Sequence, residues 1–198
     1  MNLSIIFILT SFCFSISSLE ILDTLNSDVH WDFVDFDDEL SFFSYKHKSK
    51  DINLIKIEKQ IIEDKADIFK VIKSIENYNS VISNEDLYSK LVKSKQDTVW
   101  GYQLIKNSIP FTRDRQYIFK MYQLTPDKLV WIIDDSFIKI DNNINDAKNL
   151  TIGAGTWEVK SIDNKKYLIN KIYDNDEINI PGLFIDKLRR KHVGKIFK

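Results

Sequence analysis

No set of residues in this chain has the types and spacing of a catalytic centre. The histidines His30, His47 and His192 lie far apart, and neither His-x-x-x-His nor Gly-x-Ser-x-Gly occurs. The acidic run Asp35, Asp37, Asp38 and Glu39 lacks the glycine and terminal glutamate of a calcium loop, so it reads as a solvated face. The only cysteine, Cys13, falls in the apolar start of the chain. Beyond it there is no disulfide, thiolate ligand or cysteine nucleophile. What does recur with regular spacing is aromatic: Trp100 and Tyr102, then Tyr117, Phe119 and Met121, then Trp131 and Trp157. Such a set suits binding of an apolar ligand, because burial contributes roughly 25 cal/mol per Å² removed from water. Ligand pockets are mostly apolar with a few polar groups. The competing reading is an ordinary packed core. Arg113, beside Asp114, would orient a ligand head group or form a structural ion pair. Phe184 and Leu188 complete the candidate ligand-binding set. No catalytic residue, metal or cofactor is expected.

The chain has 198 residues, 43% of them hydrophobic and 29% charged, with a formal net charge of −1. That suits one globular domain rather than a disordered chain. Basic and acidic residues are interspersed and the pI is near 6.3, which argues against a nucleic-acid partner. The expected partner is a lipid or other apolar small molecule, bound by a monomer. Transient membrane contact would come from the basic side of the last helix, Lys187, Arg189, Arg190 and Lys191.

Residues 1–18 carry no charged side chain, and Leu3 to Phe14 form an apolar block followed by small residues at Ser15, Ser17 and Ser18. This is the pattern of a cleaved secretory signal, shorter than a membrane span needs. The expected division is a signal at 1–18 and one domain at 19–198, exported to a periplasmic or extracellular setting. Cys13 follows the bulky Phe12 and sits early for a lipid-modified cysteine.

The elements that must position the aromatic set follow from periodicity. Glu20 to Val29 predicts a short opening helix, and Leu40 to His47 and Asn53 to Ile61 predict strands. Asp64 can cap a helix whose apolar face is Ile68, Phe69, Ile72 and Ile75, running to about Tyr78. From Glu85 the period becomes two. Trp100, Tyr102 and Leu104 share one strand face, and Tyr117, Phe119 and Met121 share a face of the next strand. Thr125-Pro126-Asp127-Lys128 supplies a turn. Leu129, Trp131 and Ile133 begin another strand, and Lys139 to Asn149 reads as a long loop. Thr156 to Ser161 and Lys166 to Tyr173 form a hairpin over Asp163-Asn164-Lys165. Pro181 opens a last helix. Meander strands beside segregated helices indicate an α+β fold.

From Trp31 onward the chain resembles the START domains, the lipid-transfer group related to steroidogenic acute regulatory protein. The resemblance is carried by Trp31 through Lys48, the strand at Ile52 and the helix at Asp67 that ends at Asn77-Tyr78-Asn79. It is carried further by Pro110-x-x-Arg113-Asp114, by Gly155-Thr156-Trp157 and by Ile180-Pro181. Where many members have a Val-Arg or Ile-Arg pair, this chain has Leu150 to Gly153 without arginine. The resemblance implies a helix-grip fold, a curved antiparallel β-sheet wrapped around a long C-terminal helix. That helix would gate a cavity for a hydrophobic ligand, and the domain would transfer the ligand between membranes. Two alternatives stand beside it. One is a cyclase- or hydrolase-like enzyme using Arg113, Asn170 and Lys171. The other is a surface-interaction protein whose cavity is filled.

Overall fold

The computed structural model describes residues 16–47, 53–81, 87–106, 113–134 and 147–173. The first helix, α1 (Ser18–Asn26), begins at a reciprocal capping box between Ser17 and Glu20 and buries Ile21, Leu22 and Leu25. Strands β1 (Asp32–Asp37), β2 (Leu40–Lys46) and β3 (Asn53–Ile61) follow. In α2 (Lys65–Lys73) the Asp64 side chain accepts from the Ala66 N–H at 2.8 Å.

The helix expected to reach Tyr78 stops at Lys73. Ser74 turns out of helical geometry with ψ 67°, and its hydroxyl donates to the Lys70 carbonyl at 2.8 Å. A serine that bonds the backbone locally competes with the helix ladder. A 3-10 turn at Ile75–Asn77 and the short α3 (Tyr78–Val81) complete the segment.

Strands β4 (Leu87–Lys95), β5 (Thr98–Ile105), β6 (Arg115–Thr125), β7 (Lys128–Ile133), β9 (Ala154–Ile162) and β10 (Lys165–Tyr173) are joined in part by two-residue hairpins. Two hairpins of the sheet place both loop residues at positive φ, Asp38 and Glu39 between β1 and β2, and Asp163 and Asn164 between β9 and β10. That backbone matches the right-handed twist of paired strands. Lys165, expected in the second of these turns, is already the first residue of β10. The end of the expected 139–149 loop is also corrected. Lys148–Asn149 forms a short strand, β8, that pairs parallel with β6. The Lys148 N–H donates to the Asp114 carbonyl at 2.7 Å, and the Leu150 N–H donates to Gln116 at 2.9 Å.

The sheet runs β1-β2-β3-β10-β9-β7-β6-β5-β4, antiparallel between neighbours along that path. Side chains alternate between its faces. One face carries Phe42, Ile57, Phe119, Met121, Leu129 and Trp157, and packs against Phe69, Ile72 and Ile75 of the α2 segment. The other carries Leu54, Val130, Ala154 and Tyr173 beneath Ile21, Leu22 and Leu25 of α1. Two further contacts tie α1 down. The Ser18 hydroxyl accepts from the Gly153 N–H, and the Lys171 ammonium donates to the Leu25 carbonyl, each at 3.1 Å. The expected C-terminal helix, with Phe184 and Leu188, lies outside the described residues.

Candidate functional site

Five of the expected aromatic and sulfur side chains share the α2 face. Tyr117, Phe119 and Met121 alternate along β6. Met121 pairs with Trp131 of β7, and Leu129, two residues before Trp131, pairs with Trp157 of β9. Phe119, Met121 and Trp157 are buried in the core under α2, while Tyr117 and Trp131 stay partly exposed. The Tyr117 and Trp131 rings stack, with centroids 6.3 Å apart and planes 19° apart. Phe119 meets Trp131 edge-on at 6.1 Å. Offset and edge-to-face arrangements are those that aromatic quadrupoles favour.

Glycines set where these rings lie. A Cβ on Gly155 would sit 2.5 Å from the Trp131 Nε1, so the indole rests directly on the backbone of β9. A Cβ on Gly101 would sit 2.5 Å from the Phe119 ring and 3.0 Å from Ile75. The absence of a side chain at Gly101 thus lets Phe119 lie between β5 and the turn after α2.

Trp100 and Tyr102 do not join this set, which corrects their expected inward orientation. Gly101 pairs with Phe119 and Val99 with Met121, so the even residues of β5 occupy the opposite face. There the Trp100 Nε1 donates to Asp134 at 3.0 Å, and Lys93 and Lys120 lie over its ring at 5.1 and 5.9 Å. The Tyr102 hydroxyl donates to Gln116, whose amide nitrogen donates in turn to Asn149, both at 2.8 Å. Arg113 precedes β6 and is exposed. Arg115 begins β6 two residues before Tyr117 and so shares its face. The alternation that placed Tyr117 and Phe119 together could have identified it.

A polar string borders the aromatic pair. The Tyr117 hydroxyl donates to Gln103 Oε1, and Gln103 Nε2 donates to the Ser89 hydroxyl at 3.2 Å. Asn79 clamps the Ser89 backbone, accepting from its N–H at 2.8 Å and donating to its carbonyl at 2.7 Å. Beside them Tyr78 donates to the Ile72 carbonyl. Burial first, and the neighbouring Tyr117 second, push the Tyr78 phenol well above the usual tyrosine range. Sequence reasoning missed Gln103 and Ser89, because isolated polar residues in strands give no signal of their own. Asn170 also lies on this face, paired with Trp157, and its Nδ2 donates to the Thr156 carbonyl at 3.1 Å.

The three residues named as candidates for an enzyme do not share one face. Asn170 faces α2, Lys171 points to the opposite face and caps α1, and Arg113 is exposed. Among the described residues no group of three or more His, Cys, Asp or Glu could hold a metal ion. Among the same residues no helix is long and apolar enough to cross a membrane.

No protein-family model matches the sequence, and neither does any curated protein sequence. Solved structures do match the fold. A STAR-related lipid transfer protein from Xanthomonas axonopodis superposes with a TM-score of 0.69 at 10% identity, over 84% of this chain and 94% of that one. Human STARD10 gives 0.60 at 12% identity, over 91% and 76%. Human StAR-related lipid transfer protein 5 gives 0.60 at 9% identity, over 90% and 88%. The fold is START-like, as the sequence motifs led one to expect.

Proposed function

We propose that this chain binds a hydrophobic ligand, a lipid bearing a small polar head, against the α2 face of its sheet. The carrying observation is the stacked Tyr117–Trp131 pair, partly exposed at the edge of a packed apolar core and hydrogen-bonded into Gln103 and Ser89. The rings supply apolar contact for the ligand body. Tyr117, Gln103 and the nearby Arg115 offer a hydroxyl, an amide and a guanidinium to the head. Phe119, Met121 and Trp157 form the floor that holds the ring pair in place rather than the contact surface itself, being almost wholly buried. The START-like structures named as lipid transfer proteins support a lipid as the ligand.

In this reading the C-terminal helix beginning at Pro181 gates the site, with Phe184 and Leu188 closing over the ligand. The domain carries its ligand between membranes after export. It acts by binding and has no catalytic step. Native mass spectrometry of the purified protein, followed by lipid extraction, tests the reading. A copurified lipid, or saturable binding of one from a broad panel, is expected. If nothing copurifies and nothing in the panel binds, the face is a filled core and the protein presents only its surface.

A further inference from the structure

A separate cavity of about 560 Å³ lies between α2 and the strand ends by the β6–β7 turn. Its volume falls within the roughly 300–1,000 Å³ typical of small-molecule sites. Phe69, Leu91 and Val99 give it an apolar floor. Its rim is cationic. Lys70 and Lys73 are three residues apart on α2 and so project from the same side of the helix. A third lysine, Lys65, is held in an ion pair by Asp127. Among the described residues neither Lys70 nor Lys73 has a carboxylate partner, and Glu76 is the one acidic side chain on the rim. The C-terminal end of α2 favours lysines through the helix dipole, which accounts for their position. It does not account for the apolar hollow beside them.

We propose that this cavity binds an amphipathic anion, a single-chain molecule with a carboxylate or phosphate monoester head. The head sits between Lys70 and Lys73, and the alkyl tail lies along half-buried Leu91 and the exposed edges of Phe69 and Val99, which are otherwise buried. Ser94 and Gln123, which also line the cavity, offer neutral hydrogen-bonding groups to the same head. The site is independent of the Tyr117–Trp131 pair, so either can fail without the other.

Two-dimensional amide NMR of isotope-labelled protein, titrated with octyl phosphate and separately with octanoate, tests this directly. Saturable shifts of the Lys73, Ser94 and Gln123 amides are expected with at least one of the two. In Lys70→Gln/Lys73→Gln the affinity should fall at least tenfold. Octyl glucoside, which has the same tail and a neutral head, should leave those amides unmoved. Ser94→Trp, a change at an exposed position, should fill the cavity and abolish the shifts. The proposal is overturned if those amides stay still with both anions, if the double variant responds with unchanged affinity, or if octyl glucoside binds there equally well. Shifts confined to Tyr117 and Trp131 would likewise overturn it, while supporting the ligand site on the α2 face.

Discussion

Trp131 of β7 lies flat across Gly155 of β9, so close that a single added carbon on Gly155 would meet the indole nitrogen at 2.5 Å. The same indole stacks on Tyr117. The position of the proposed binding surface is therefore set by a residue that has no side chain of its own.

Gly155→Ala should tilt the indole off the sheet. Overpacking of this kind costs about 1–3 kcal/mol. A lowered midpoint of thermal unfolding is expected, together with weakened ligand binding. Unchanged stability and unchanged tryptophan emission would show that Trp131 moves aside without consequence.

Tyr117→Phe keeps the ring stack and removes the hydroxyl that donates to Gln103. A net hydrogen bond contributes about 1 kcal/mol, so the fold should survive. Binding of ligands with a hydroxyl or carboxylate head should weaken, while binding of a plain hydrocarbon should not. Equal losses for both would place the polar string outside the site.

Tyr78 sets a pH dependence. Its folded-state phenol titrates above the unfolded value of 10.0, because burial disfavours the phenolate. The folded chain therefore keeps a proton that the unfolded chain releases as pH rises past that value. Tyr78 contributes fully below about pH 10, and its contribution falls above it. Chemical denaturation of Tyr78→Phe across this range should show a shallower alkaline decline than the parent. Identical declines would contradict the assignment.

The N-terminus supplies a processing prediction. Ser17 caps α1, and Ser18 accepts from Gly153. A cut after Ser18, the end of the expected signal, would remove both contacts. Loss of a serine cap alone costs about 1 kcal/mol. If the chain is exported and trimmed, intact-mass measurement of the mature protein should find Ser17 retained. A mature chain starting at Leu19 would contradict the prediction that the cap is kept.

Much of the strand arrangement was legible in the sequence, but the sides of the strands were not. Alternation correctly groups Tyr117, Phe119 and Met121, and equally groups Trp100, Tyr102 and Leu104. A period of two is symmetric, however, and does not say which group faces the core. The β5–β6 register decides that by placing Gly101 against Phe119. Small Gly101 between two large aromatics was the available clue. Arg113 drew attention through its motif, yet Arg115 is the arginine that shares a face with Tyr117. The break at Ser74 and the two-residue β8 were also hidden, since each depends on a local hydrogen-bond choice rather than on hydrophobic period.

The central claim is that a ligand lies on the face of Trp131 and not on that of Trp100. Two single-tryptophan proteins separate these. One keeps Trp131 with Trp31, Trp100 and Trp157 changed to Phe, and the other keeps Trp100 with Trp31, Trp131 and Trp157 changed. Each is titrated with a brominated fatty acid or brominated phospholipid, whose bromine quenches indole emission only at close range. Saturable quenching of the Trp131 protein, with little in the Trp100 protein at ligand concentrations where equilibrium dialysis shows it bound, is the expected result. Equal quenching of both, or none at Trp131 while ligand is bound, would contradict it.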